Sequence, residues 1–165
     1  MPHFDLRIGQ PAADEVFDVL GPRIRFLTPL SDRDSDYCLI AGVVPAGVGV
    51  PVHSHQERET FYVLEGEIEG LLDKRWITFG VGDVADVPGG LKHAWRNVSG
   101  ASAQLLFVTS MRLGRFFRDI AVPVALAGKG PPSPADLQRL VGVAEAYGYW
   151  LGSPADNVAL GISMG

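Results

Sequence analysis

From Tyr37 to Ser110 the chain is cut into short strand-like segments, none longer than eight residues, and this punctuation limits its fold more than any other feature. The segments are Tyr37 to Val44, Val50 to His55, Glu59 to Leu64, Glu67 to Leu72, Arg75 to Phe79, Asp83 to Val87, His93 to Asn97 and Ala103 to Ser110. Gly, Pro, Asp or Asn stands in most of the gaps. Many short strands with regular turn signals predict a sandwich or barrel. The high Gly and Pro counts, 20 and 12 in 165 residues, favour such a fold over a helical bundle. Tyr37 to Val44 is apolar throughout, the pattern of a buried strand. Before it, Arg23 to Leu27 reads as a first strand, Ser31 to Ser35 as a polar turn and Ala12 to Leu20 as a short helix.

After Met111 the pattern changes. Arg112 to Ile120 reads as a short helix and Pro123 to Pro132 as a loop. Ser133-Pro134-Ala135-Asp136 is a helix start: Ser133 caps, Pro134 suits the first turn, and Asp136 stands where a capping-box acid belongs. Leu137, Leu140, Val141, Ala144 and Tyr147 then recur at helical spacing until Gly148 ends the helix. Its apolar stripe must be buried. Packing on the outside of the barrel comes first, with the barrel mouth and a dimer contact as alternatives. The reading is one compact domain: 1–36 an N-terminal segment joining the barrel, 37–111 the barrel, and 112–165 a C-terminal loop and helix extension.

Composition excludes several classes of function. The net charge is −5 with no basic stripe, so no nucleic-acid partner is expected. No stretch approaches the length of a bilayer span, so no membrane partner is expected and the expected location is cytoplasmic. A single cysteine, Cys38, forbids an internal disulfide framework and reads as buried filler. Neither a phosphate-binding Gly loop nor a Gly-x-Ser-x-Gly elbow is present. Arg112, Arg115 and Arg118, spaced three apart, read as a solvated helix face.

Chemistry concentrates in two linked patterns that hold three of the four histidines. The first runs Gly47, five residues, His53-Ser54-His55, three residues, Glu59, six residues, Gly66. The second runs Gly82, five residues, Pro88-Gly89-Gly90, two residues, His93, three residues, Asn97. His53 and His55 are two apart on an extended segment and so share a face. Glu59 follows the Gln56-Glu57-Arg58 turn and returns beside them, and His93 enters from another strand. Three imidazoles and a carboxylate suit one divalent transition metal. Iron or manganese is preferred, with nickel, zinc, copper and cobalt also accommodated. One or two coordination positions stay open for water, substrate or dioxygen. Gly66 is expected to take positive φ in a tight reversal, Pro88-Gly89-Gly90 to aim His93 inward, and Asn97 to hold a turn.

The two patterns resemble the two sequence motifs of the cupin superfamily at every defining position, joined by a 15-residue segment, Glu67 to Val81. The resemblance covers roughly residues 37–110. It implies an all-β fold, a double-stranded β-helix or jelly roll, with a C-terminal α-helical extension here. It also implies metal ligation by His53, His55, Glu59 and His93. The layout, one barrel followed by a Pro-rich loop and a helix, further resembles single-domain bacterial cupins of the quercetin-dioxygenase-like, cupin_2 type.

Strand alternation puts Phe61 and Val63 on the side of Glu59, and Trp95 on the side of His93. Thr60, Tyr62 and Leu64 then face out. On the last strand either Leu105, Phe107 and Thr109 or Gln104, Leu106 and Val108 face in. Phe61, Val63, Trp95 and Phe107 are the candidate substrate contacts of an apolar pocket. The leading expectation is a metal-dependent dioxygenase, an oxidoreductase acting on a small aromatic or enol/diketone-type substrate. In it Glu59 doubles as catalytic base. A metal-dependent isomerase or lyase of a small carbonyl compound or sugar is the alternative, and a non-catalytic small-molecule-binding cupin a third. A homodimer is expected from exposed strand edges.

Overall fold

In the computed structural model of the protein, residues 15–31 and 35–162 are described. Two antiparallel sheets face each other as a jelly roll. The strands are β1 (Phe17–Asp18), β2 (Arg23–Phe26), β3 (Tyr37–Val44), β4 (Gly49–Ser54), β5 (Glu59–Glu65), β6 (Glu67–Leu72), β7 (Arg75–Gly80), β8 (Val84–Val87), β9 (His93–Arg96), β10 (Ala103–Ser110), β11 (Val122–Pro123) and β12 (Trp150–Leu151). One sheet has the order β11-β1-β2-β3-β10-β5-β8 and the other β12-β4-β9-β6-β7. Three helices follow the main strands: α1 (Met111–Ile120), α2 (Pro134–Tyr147) and α3 (Pro154–Ala159). Among the described residues no helix is long and apolar enough to cross a membrane.

The strand segments fall where the punctuation places them. Along β3 and β10 burial alternates residue by residue, as expected when one face of a sheet packs inward. The open choice on β10 resolves to Leu105, Phe107 and Thr109, all buried. Thr60, Tyr62 and Leu64 face away from the core, with Tyr62 and Leu64 exposed. The core between the sheets gathers Ile40, Phe61, Val63, Val87, Trp95, Leu105 and Phe107. Cys38 is buried, and burial pushes its thiol pKa up, so it behaves as an inert apolar side chain. Gly66 takes φ +73°, and a Cβ there would come within 2.7 Å of Ser102 O.

The N-terminal helix is a correction. Residues 12–14 of Ala12 to Leu20 lie outside the described residues, and Phe17–Asp18 is a strand pairing with both β2 and β11. Phe17 stacks near Phe26, with ring centroids 6.0 Å apart, and this edge pairing overrides the helical pattern. Residues 32–34 of the polar turn at Ser31 to Ser35 also lie outside the described residues.

The C-terminal segment is more than an appendage. It contributes β11 to one sheet and β12 to the other. α2 starts and stops as its sequence dictates: Ser133 and Asp136 form a reciprocal capping box, and Gly148 closes the helix at φ +73°. It packs on α1 through Ala144, Leu140, Val143 and Tyr147 against Leu113, Phe116 and Ile120. Of the apolar stripe, Leu140, Ala144 and Tyr147 are thus covered by α1 rather than by the outer wall of the barrel, while Val141 is exposed. α3 repeats the Ser-Pro-Ala-Asp start at Ser153-Pro154-Ala155-Asp156, with a second capping box.

Asn97 ties the turn between β9 and β10 to the end of β3. Its Nδ2 donates to Val44 O at 2.9 Å and Ala101 O at 2.8 Å, and its Oδ1 accepts from Ser99 N at 3.0 Å. It is 1% exposed, and Asn97→Ala takes a partner from the Val44 carbonyl and from Ser99 N, while Ala101 O keeps the Ser99 hydroxyl. The expected cost is about 2–3 kcal/mol, or a melting temperature ~5–10 °C lower. Metal content should not change, and a thermal melt beside elemental analysis checks both.

Candidate metal centre

The four expected ligands meet. His53, His55, Glu59 and His93 each offer an atom, and these atoms lie within 4.8 Å of one another. They come from the end of β4, the first residue of β5 and the first residue of β9. β4 carries a bulge just before the ligands: Val50 faces Trp95 but His53 faces His93, so β4 has one residue to spare. Bulges re-aim side chains at functional sites, and this one sets the His53 imidazole toward His93, with ring centroids 4.2 Å apart. The amide of Val52, within the bulge, donates to the side-chain Oδ1 of Asn157 on α3 at 2.9 Å.

The three imidazoles are oriented alike. His53 Nδ1 lies 2.7 Å from Pro51 O, His55 Nδ1 2.9 Å from Glu57 O, and His93 Nδ1 2.8 Å from Leu91 O. A carbonyl oxygen has no proton to give, so each Nδ1 carries the hydrogen and each Nε2 is left as the ligand atom. Glu59 Oε2 stands 3.2 Å from both His55 Nε2 and His93 Nε2. Lone pairs and a carboxylate facing at that distance repel unless a proton or a cation sits among them.

Charge states follow from this crowding. Burial works to raise the Glu59 pKa, but the hydrogen bonds with His55 and His93 more than reverse it and hold it at about 2. Burial works to lower His55, yet Glu59 beside it leaves its pKa raised. Burial, with His93 adjacent, presses His53 down to about 3 and keeps it neutral. The carboxylate of Glu59 thus favours a positive charge at His55, and a divalent ion can supply positive charge at the same place. Bonds of about 2.0–2.2 Å connect ligand atoms up to ~4 Å apart, so a small contraction of the cluster suffices. The donor set, its fixed tautomers and the buried carboxylate of Glu59 all fit a transition metal.

A cavity of about 140 Å³ opens beside the cluster. His53, His55 and Glu59 line its polar end; Phe61, Trp95 and Phe107 line its wall. Phe61 stacks on Phe107 at 5.1 Å between centroids and meets Trp95 at 4.6 Å. Val63 shares the inward side but is not among the lining residues; it packs in the core.

Sequence reasoning missed the far side of the cavity. Phe116 and Phe117 of α1, Leu140 of α2, and Tyr149 and Leu151 around β12 also line it. β12 pairs directly with the ligand strand, Trp150 opposite Ser54 and Leu151 opposite His53. The one available signal was the repeated Ser-Pro-Ala-Asp start, which marks the tail as ordered. Arg112, Arg115 and Arg118 are all exposed, as a solvated face requires, and Arg112 also donates to Glu57 Oε1 at 2.8 Å.

Comparison with known proteins agrees with this geometry. The sequence model of the Cupin_2 family, described as a cupin domain, matches residues 40–109. A Cupin 2 conserved barrel domain protein from Salinispora arenicola superposes with TM-score 0.55 at 19% identity, over 84% of this chain and 98% of the other. The polyketide cyclase RemF from Streptomyces resistomycificus superposes with TM-score 0.56 at 21% identity, over 64% of this chain and 80% of the other. An RmlC-like cupin from Shewanella frigidimarina gives 0.52 at 21% identity, over 59% and 83%. At these identities the likeness is one of fold. No curated protein matches the sequence.

Proposed function

We propose, from the premise that this chain carries a Cupin_2-type domain whose His53, His55, Glu59 and His93 can hold a metal ion, that it is a metal-dependent dioxygenase. Its substrate is a small, uncharged, largely apolar molecule with an enol, diketone or phenol oxygen. One observation carries the substrate class: among the described residues the cavity lining contains no Lys, Arg, Asp, Asn, Gln, Ser or Thr. A sugar would leave its hydroxyls unpaired there, and a phosphate or dicarboxylate would lose its hydration without a countercharge. An apolar cavity of about 150 Å³ holds a benzene-sized guest, so a single ring or a short diketone matches the space.

A divalent ion bound to the cluster supplies Lewis acidity and, for iron or manganese, a one-electron couple. The residues do the rest. Phe61, Phe107 and Trp95 hold a flat substrate with its oxygen toward the histidines and keep water out. The Nδ1–carbonyl bonds keep the three Nε2 atoms in place throughout turnover. Glu59 is a weak base while His55 and His93 flank it. It gains basicity as those contacts loosen, and Oε2 can then accept the enol or phenol proton of the entering substrate.

The test is oxygen uptake by the iron- and manganese-loaded protein across phenols, β-diketones, sugar phosphates and dicarboxylates. Uptake of one dioxygen per phenol or diketone consumed, with both oxygen atoms in product, is the expected result. Conversion without oxygen uptake would replace the dioxygenase by a metal-dependent isomerase or lyase. Tight binding without conversion would leave a small-molecule-binding protein.

A further inference from the structure

Glu57 lies in the turn between β4 and β5, where a carboxylate ordinarily points to water. Here its side chain is 8% exposed. Its backbone oxygen accepts from His55 Nδ1. Its Oε1 accepts from Arg112 Nη1 at 2.8 Å and from the Tyr149 hydroxyl at 3.0 Å. Its Oε2 is buried, has no hydrogen-bond partner among the described residues, and stands 3.7 Å from His55 Nδ1. Arg112 belongs to the first turn of α1, and Tyr149 directly precedes the strand that pairs with the ligand strand. The Tyr149 ring also lies against the His55 ring, with centroids 5.5 Å apart. The turn itself is fixed from the barrel, since Thr109 Oγ1 donates to Arg58 O at 2.9 Å.

A buried carboxylate is costly unless something uses its charge. Arg112 answers one oxygen from a half-exposed position. The other oxygen has no hydrogen-bond partner among the described residues and lies 3.7 Å from the imidazole edge opposite the metal-binding nitrogen. A carboxylate on that edge orients a ligand histidine and strengthens its donation to the ion.

We infer that Glu57 is a positioning residue for the metal, acting through His55, and that Arg112 and Tyr149 hold it there, so that packing of the C-terminal segment on this turn and retention of the metal are coupled. This rests on the reading of the cluster as a metal site. It adds that residues outside the cupin domain, on α1 and before β12, set how tightly the ion is held.

The experiment compares wild type with Glu57→Ala, Glu57→Gln and Tyr149→Phe. Affinity for Co(II) is measured by chelator competition, the visible d–d bands of the Co(II) protein are recorded, and the metal-free proteins are melted. Expected is a loss of about 10–100-fold in Co(II) affinity for Glu57→Ala, with shifted bands. Glu57→Gln should fall between it and wild type. Tyr149→Phe should lose affinity in the same direction while its metal-free melt stays near wild type, which a merely structural role would not produce. If Glu57→Ala does not fold, Glu57→Gln and Tyr149→Phe decide. Affinities within twofold of wild type and unchanged bands would overturn the inference and leave the metal site standing. A wild type that takes up no Co(II) would remove the metal site and this inference together.

Discussion

Purified without chelator or affinity tag, the wild-type protein is expected to carry close to one equivalent of a divalent transition metal, and His93→Ala less than a tenth of that. His93 is the sharpest probe because it is buried and its Nδ1 is committed to Leu91 O, so nothing else can move in to replace it. Loss of a ligand atom should exceed the ~10–100-fold that loss of an outer partner costs. The metal-free forms should differ too. Removing His93 takes away a buried imidazole that stands 3.2 Å from the Glu59 carboxylate and leaves a cavity in its place. Added metal at 100 times its dissociation constant should stabilise wild type by about 2.7 kcal/mol, or ~5–10 °C in melting temperature, and leave His93→Ala unmoved. Elemental analysis and thermal melts with and without metal check both parts. Equal metal in the two proteins, or none in either, would refute the assignment of the cluster.

The ligand set was legible from two patterns. Two residues apart on a strand fixes His53 beside His55, and the resemblance of the second pattern to a cupin motif, with its Pro88-Gly89-Gly90 turn, pointed to His93. The inward register of Phe61, Trp95 and Glu59 was legible as well, since alternation is a local property. The Phe17–Asp18 strand was not: a two-residue strand has no periodicity, and its pairing with Pro123 is set by a contact more than a hundred residues away. The far wall of the cavity was hidden in the same way. Helical spacing in α2 announces an apolar stripe but not its partner, and only the fold shows that α1 meets it and that Leu140 reaches the cavity. Glu57 looked like an ordinary turn residue because its partners, Arg112 and Tyr149, are 55 and 92 positions distant.

Gly89→Ala is expected to damage both stability and metal binding, and more severely than Gly90→Ala. The sequence assigns Pro88-Gly89-Gly90 the task of aiming His93, and the two glycines do so by different means. Gly90 adopts φ +82° with open space around the missing Cβ, so alanine there meets only backbone strain, about 1–2 kcal/mol. Gly89 is a close contact. A Cβ would stand 2.0 Å from Gln56 O and 2.8 Å from Gln56 C, and neither is the flexible end of a side chain. Gln56 follows His55, and Gly90 N donates to His55 O at 2.7 Å, so this contact is where the two halves of the site are joined. Relieving the clash must part them, breaking that hydrogen bond and drawing His93 away from His55 and Glu59. The expected cost is about 3 kcal/mol or more, a fall of ~6–12 °C in melting temperature. Co(II) affinity should drop by more than the ~10-fold at the low end of an outer-partner loss, while Gly90→Ala keeps its affinity. A Gly89→Ala protein that melts and binds Co(II) like wild type would show that the turn can flex there. The close approach of Gly89 to Gln56 would then not be what registers His93 against His53, His55 and Glu59.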